Sequence, residues 1–176
     1  GMIMAVGAPG DRWWDEDRRG HVNIFSRESQ GSSWEQRGDT LYGEANGDLF
    51  GHSLSLSGDG NTLSIGAPEN DGNGNNSGRV SVYRWDGVTL SYDQRGDVLR
   101  GEAENNQFGY SLDLSSDGEI LAVASPNNYS NGGGSGRVQI YAWDLVSSTY
   151  KQLGQVMNSS AADGIFGVSV SLSGDG

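Results

Sequence analysis

The sequence predicts an all-β protein assembled from three copies of a four-stranded antiparallel unit, and three observations predict it. The 176 residues include 29 glycines but only 3 prolines, with a mean hydropathy of -0.55, a balance that favours many short elements joined by tight turns over long helices. Phe50, Gly51, Ser53 and Leu54 recur 58 residues later as Phe108, Gly109, Ser111 and Leu112, and after another 58 as Phe166, Gly167, Ser169 and Val170. Between these anchors, short runs alternate apolar and polar residues with a period of two.

The first strand of the unit follows the Phe-Gly pair. In the middle copy Phe50, His52, Leu54 and Leu56 are expected on one face and Ser53 and Ser55 on the other, with the run ending at Ser57-Gly58-Asp59-Gly60. Asp-Gly tolerates positive φ, so this segment reads as a tight hairpin turn. The second strand is predicted from Thr62 to Ile65, and from Ile120 to Val123 in the next copy. It ends where Gly66-Ala67-Pro68, Ala124-Ser125-Pro126 and, in the first copy, Gly7-Ala8-Pro9 bring in a proline that removes a ladder donor. The polar loop from Glu69 to Ser77 separates it from the third strand.

The third strand opens on a glycine and alternates plainly: Gly20-His21-Val22-Asn23-Ile24-Phe25, Gly78-Arg79-Val80-Ser81-Val82-Tyr83 and Gly136-Arg137-Val138-Gln139-Ile140-Tyr141. The fourth is a single segment in each copy, begun by Trp34, Tyr92 or Tyr150 and running through Gly38, Gly96 or Gly154 four residues on.

Small residues on one face (Ser53, Ser55, Ser64) and large apolar ones on the other suit sheets stacked face to face. Such a sheet cannot bury its apolar side alone, so the units are expected to be blades of a β-propeller, with a β-solenoid as the competing architecture. The period divides the chain into a partial repeat at 1–49 that lacks its first strand, whole repeats at 50–107 and 108–165, and a spare first strand at 166–176. Gly1 before Met2 reads as a remnant of tag removal. Three repeats are too few to close a ring, so closure is expected either from a second chain, giving six blades as a homodimer, or from a longer parent protein.

The Phe50-Gly51 and Gly66-Ala67-Pro68 pairs together resemble the FG-GAP repeat, and the Trp34, Gln36, Gly38 segment resembles the variant found in bacterial and algal surface proteins. The resemblance implies an integrin-α-like propeller in an adhesion or surface-binding protein, extracellular or at a cell surface. It also implies calcium on the hairpin between the Phe-Gly and Gly-Ala-Pro strands. That hairpin here offers only Asp59, with Asp117 and Asp175 at the equivalent places, whereas calcium takes six to eight oxygens, so a turn role is favoured over a metal role.

The net charge of -12, from 23 acidic and 11 basic residues, argues against nucleic acid and leaves cations, glycans or proteins as partners. Cysteine is absent, which excludes disulfides and Cys-ligated zinc. No apolar run is long enough for a membrane-spanning helix. His21 and His52 have no nucleophile or third group in register, so catalysis is not expected.

The leading candidate for ligand binding is the loop of the first copy, where Trp13, Trp14, Asp15, Glu16 and Asp17 replace the Asn, Gly and Ser of the other copies; aromatics beside acids suit a sugar or a cation. Arg37-Gly38-Asp39 and Arg95-Gly96-Asp97 are read as strand anchors, because Leu153-Gly154-Gln155 holds the same place in the third copy. Trp85 and Trp143 share one repeat position and are read as structural. The function expected is a non-catalytic binding or adhesion module. The alternatives are an accessory propeller of an extracellular hydrolase or lyase, and a purely structural spacer.

Overall fold

The computed structural model describes residues 1–10, 19–128, 135–160 and 165–176. These form three antiparallel sheets. The first holds β1 (Met2–Ala8), β2 (His21–Arg27), β3 (Glu35–Gln36) and β4 (Leu41–Tyr42). The second holds β5 (Ser53–Leu56), β6 (Thr62–Ala67), β7 (Arg79–Asp86), β8 (Ser91–Gln94) and β9 (Leu99–Arg100). The third repeats the second with β10 (Ser111–Leu114), β11 (Ile120–Ser125), β12 (Arg137–Asp144), β13 (Thr149–Gln152) and β14 (Met157–Asn158). Each sheet is a meander, and the register is copied between blades: Leu63 faces Tyr83 as Leu121 faces Tyr141 and Met4 faces Phe25.

Three expectations are corrected. The fourth segment is not one strand but two short ones, both paired to the third strand, because Gly38, Gly96 and Gly154 sit at φ of 76°, 74° and 70° and break the ladder between them. The first strand starts only at Ser53, since the chain turns at Gly51 (φ 91°); Phe50 lies outside the ladder, and His52 does not share its buried environment. The predicted C-terminal first strand at 166–176 forms no ladder among the described residues, where its one bridge joins Phe166 to Gly136.

The core lies between blades rather than within them. Val22, Ile24 and Phe50 cluster with Leu63 and Ile65 of the second blade, and Val80, Val82 and Phe108 cluster with Leu121 and Val123 of the third. The side chains of Ile24, Leu63, Ile65, Val80 and Leu121 have no exposed surface. Each such residue contributes on the order of 2 kcal/mol of burial, so a blade derives its stability from its neighbour. The repeat anchors meet at the same interface. A Cβ on Gly66 would stand 2.1 Å from the carbonyl oxygen of Gly109, so only glycine lets the Gly-Ala-Pro strand of one blade approach the Phe-Gly turn of the next this closely.

Candidate functional site

The second-to-third strand loops and the linkers between blades emerge at one end of the sheets, and the hairpin turns of the first two strands lie at the other. Trp13, Trp14, Asp15, Glu16 and Asp17 fall within 11–18, outside the described residues, so the leading sequence candidate is placed only by its flanks. At its base the Arg19 guanidinium lies 5.5 Å from the ring centroid of Tyr42, whose ring is 6.0 Å from that of His21; Tyr42 is 55% exposed.

Nearer the inner strands, the same end carries a pair that sequence reasoning missed. His52 and Tyr110 occupy one repeat position in adjacent blades, and their ring centroids lie 4.8 Å apart with the rings tilted by 52°. The available signal was variation at a position flanked by invariant anchors: His52, Tyr110 and Val168 follow three identical Phe-Gly pairs.

The 69–77 loop is held by its own side chains rather than by a ladder. Buried Asn70 donates from its amide nitrogen to Asp48 at 2.8 Å and accepts from the Gly72 N–H at 3.1 Å. Asn73 donates to the Gly101 carbonyl at 3.0 Å, and Asp71 accepts from the Asn76 N–H at 2.8 Å. Asn and Asp closing such bonds onto the backbone make a shaped loop out of a sequence with no strand propensity. Across the same end, Arg79 pairs with Glu44 of the preceding linker, and Arg137 pairs with Glu102 through contacts of 2.6 and 3.0 Å.

At the opposite end the acidic candidates are engaged in turns. Asp59 accepts from the Ser57 hydroxyl at 2.6 Å and from the Asn61 N–H and amide at 2.9 Å each. Asp117 repeats this with Ser115 and the Glu119 N–H, and Asp175 with Ser173. The carboxyl of Asp59 is pushed up by partial burial but more strongly down by these bonds, so its net position is below the usual range. Among the described residues no three His, Cys, Asp or Glu side chains gather in a way that would hold a metal ion.

The arginines of the two Arg-Gly-Asp segments point into the blade interface. Arg95 is 6% exposed; it donates to the Gly118 carbonyl at 2.8 Å, to the Tyr150 hydroxyl at 3.0 Å and to Glu119 at 2.7 Å. Arg37 makes the equivalent contacts with the Gly60 carbonyl at 3.2 Å and Asn61 at 2.8 Å. Arg95, so buried and engaged, is turned into the blade interface rather than toward a ligand outside.

Between the inner strands, Asp113 accepts from Ser55 and Ser171, at 2.7 and 3.2 Å, and from the Leu114 and Leu172 N–H groups, at 3.0 and 2.8 Å. Burial raises its carboxyl, but these four bonds outweigh it and hold the group below the usual range. Four donors to one carboxylate make it a fastener between blades.

This architecture, three meandering antiparallel sheets sharing inter-sheet cores, is that of β-propeller blades. Residues 42–83 match the FG-GAP repeat, and that segment is one such repeat. None of the curated proteins matches the chain. Among solved structures it is similar to a periplasmic gluconolactonase of Pseudomonas aeruginosa at 21% identity and a TM-score of 0.50, covering 89% of this chain and 39% of that one. It is also similar to putative 6-phosphogluconolactonases of Bacteroides fragilis (16%, TM-score 0.53, 81% of this chain and 34% of that one) and Bacteroides uniformis (14%, 0.54, 81% and 36%). At these identities the likeness is one of fold. The chain spans under two-fifths of the length of each of these propellers.

Proposed function

We infer that this chain is a non-catalytic binding module of a surface or secreted protein, presenting the loop-bearing end of its blades to a glycan or protein ligand. The observation that carries the reading is the His52–Tyr110 pair: two rings from one repeat position in neighbouring blades, in tilted contact with centroids 4.8 Å apart at the end where the loops diverge between copies. Aromatic faces offer apolar area with polar edges, which suits a sugar ring or an extended peptide. The tied 69–77 loop and the Arg19–Tyr42 contact extend the same surface. Location outside the cell rests on the FG-GAP resemblance.

The test is a printed glycan array and a panel of immobilised extracellular matrix proteins probed with labelled protein. The double variant His52→Ala, Tyr110→Ala should lose at least about tenfold in affinity for any hit while keeping its circular dichroism. Unchanged binding by that variant, or no binding anywhere, sinks the reading. A second reading, an accessory propeller of an extracellular hydrolase or lyase, draws on the likeness to a gluconolactonase and two putative 6-phosphogluconolactonases. A hydrolase or lyase domain encoded in the same gene would favour it.

A further inference from the structure

We propose that the outer faces of the first and third sheets are two halves of one interface, and that a second copy of this chain closes it, making a six-bladed ring from two three-bladed chains. The reasoning starts from an interface the chain already makes twice. In each case two apolar residues of a second strand, Leu63 and Ile65 or Leu121 and Val123, cover two third-strand residues of the preceding blade and the Phe-Gly phenylalanine, Phe50 or Phe108, that opens their own repeat. By register, Met4 and Val6 of β1 stand where Leu63 and Ile65 stand, yet they are 38% and 45% exposed. On the third sheet Val138, Ile140 and Phe166 stand where Val80, Val82 and Phe108 stand, and they line an apolar groove of ≈ 300 Å³ with Phe166 42% exposed. One face lacks what the other displays.

The choice of a second copy, rather than any other apolar partner, follows from two charge pairs that change on both sides together. Across both internal interfaces an arginine of one blade lies over an indole of the next: Arg37 over Trp85, and Arg95 over Trp143. In the third blade that arginine is Leu153, and in the first blade the indole's place, 58 residues before Trp85, is taken by Arg27. Arg27 lies over Trp34 of its own blade, 4.6 Å from the ring centroid, so the cation is supplied from the opposite side of the joint. An arginine at position 153 would bring two guanidinium groups together; leucine does not.

The second pair behaves alike. Glu44 meets Arg79 and Glu102 meets Arg137, whereas the next glutamate position holds Ser160 and the first arginine position holds His21. A joint between blade three of one copy and blade one of another therefore carries Leu153 against Arg27, which keeps its contact with Trp34, and Ser160 against His21, so that no like charges meet. The contact is heterologous, and two copies close it with six blades, within the four to eight that propellers use.

The internal β5–β6 pairing fixes the register of the joint. Leu54 faces Ile65, so Val170 should face Val6 of the second copy, and Leu172 should face Met4. The Ser57 N–H donates to the Thr62 carbonyl, which makes 57 and 62 a hydrogen-bonded pair and, by alternation, 54 and 65 a non-bonded one. Side chains are closest at such positions, which suits a disulfide. The chain has no cysteine of its own, so an engineered pair has no competitor.

Light scattering on the 176-residue chain should give the mass of two copies. Under oxidation, Val6→Cys with Val170→Cys should run as a covalent dimer on a non-reducing gel, while either single variant stays at one chain. Leu153→Arg should raise the dimer dissociation constant at least about tenfold, and adding Arg27→Trp should restore it by recreating the internal arrangement. A one-chain mass at every concentration, a ladder of ever larger cross-linked species, or Leu153→Arg without effect would each overturn the proposal. The light-scattering mass and the Leu153→Arg pair keep it testable if the cysteine variant does not fold.

Discussion

Arg95 lies over the indole of Trp143 in the following blade, its guanidinium carbon 4.2 Å from the ring centroid, and Arg37 stands at the same 4.2 Å from Trp85. The guanidinium is thus sandwiched between an aromatic face and a set of carbonyl and hydroxyl acceptors, at a place where the sequence shows only an Arg-Gly-Asp tripeptide. Its role is to clamp one blade to the next.

Removing the clamp should therefore cost folding stability. Arg95→Leu leaves the Gly118 carbonyl and the Tyr150 hydroxyl without that donor, and it loses the stacking on Trp143. We expect a loss of about 3 kcal/mol in urea unfolding, since a buried charged donor and its cation–π contact are both removed. Exposed Asp97→Ala should stay within about 0.5 kcal/mol. Equal effects of the two would contradict the clamp.

The glycine beside each arginine offers a graded test. Gly96 has a φ of 74°, and a Cβ there would lie 2.8 Å from Trp143, whereas Gly154 has a φ of 70° and open space around it. Gly154→Ala should cost about 1 kcal/mol from backbone strain alone, and Gly96→Ala about 2 kcal/mol or more because the indole must also shift. Thermal melts of the two variants give the comparison.

Acid should loosen the axial contacts. Asp113 is held below its ordinary 3.8, so its contribution is complete above that value and is lost as pH falls through the lower folded value. The variant Asp113→Asn should lose about 1–2 kcal/mol at neutral pH by presenting an amide to donors. It should also flatten the acid limb of a stability-versus-pH curve below pH 4. An unaltered acid limb would assign the loss to other carboxylates.

The alkaline limb has a different origin. Tyr141 and Tyr150 are both pushed up to about 12, chiefly by burial, with Glu102 adding to the rise at Tyr141 and Arg95 opposing it at Tyr150. Their stabilisation is complete below the ordinary value near 10 and is lost as pH rises through about 12. Tyr150→Phe removes the hydroxyl that donates to the Gly118 carbonyl, which should cost about 1 kcal/mol at pH 7 and soften the fall between pH 10 and 12. Tyrosinate absorbance followed during unfolding reports both effects.

The repeat made much of the architecture legible, because Phe50, Phe108 and Phe166 mark the period directly and the Val22, Val80, Val138 strands alternate cleanly. The break in the fourth strand was hidden, since Gly96 inside an alternating run does not announce its φ; that φ of 74° and the close approach of Trp143 together explain why glycine is needed there. The direction taken by Arg95 was equally hidden, as its partners Gly118, Glu119 and Tyr150 lie 23 to 55 residues away. The His52–Tyr110 contact spans one repeat, and nothing in either blade alone suggests it.

One bond recurs between successive hairpin turns: the Gly58 N–H donates to the Ser116 carbonyl, and the Ser116 N–H donates to the Gly174 carbonyl, equivalent residues of successive repeats, both at 2.8 Å. The middle turn therefore gives forward and receives from behind, which endows the row of blades with a sense of travel, like links threaded in one direction. A row with such polarity presents two unlike edges, and the wedge angle between neighbours sets how tightly it curves.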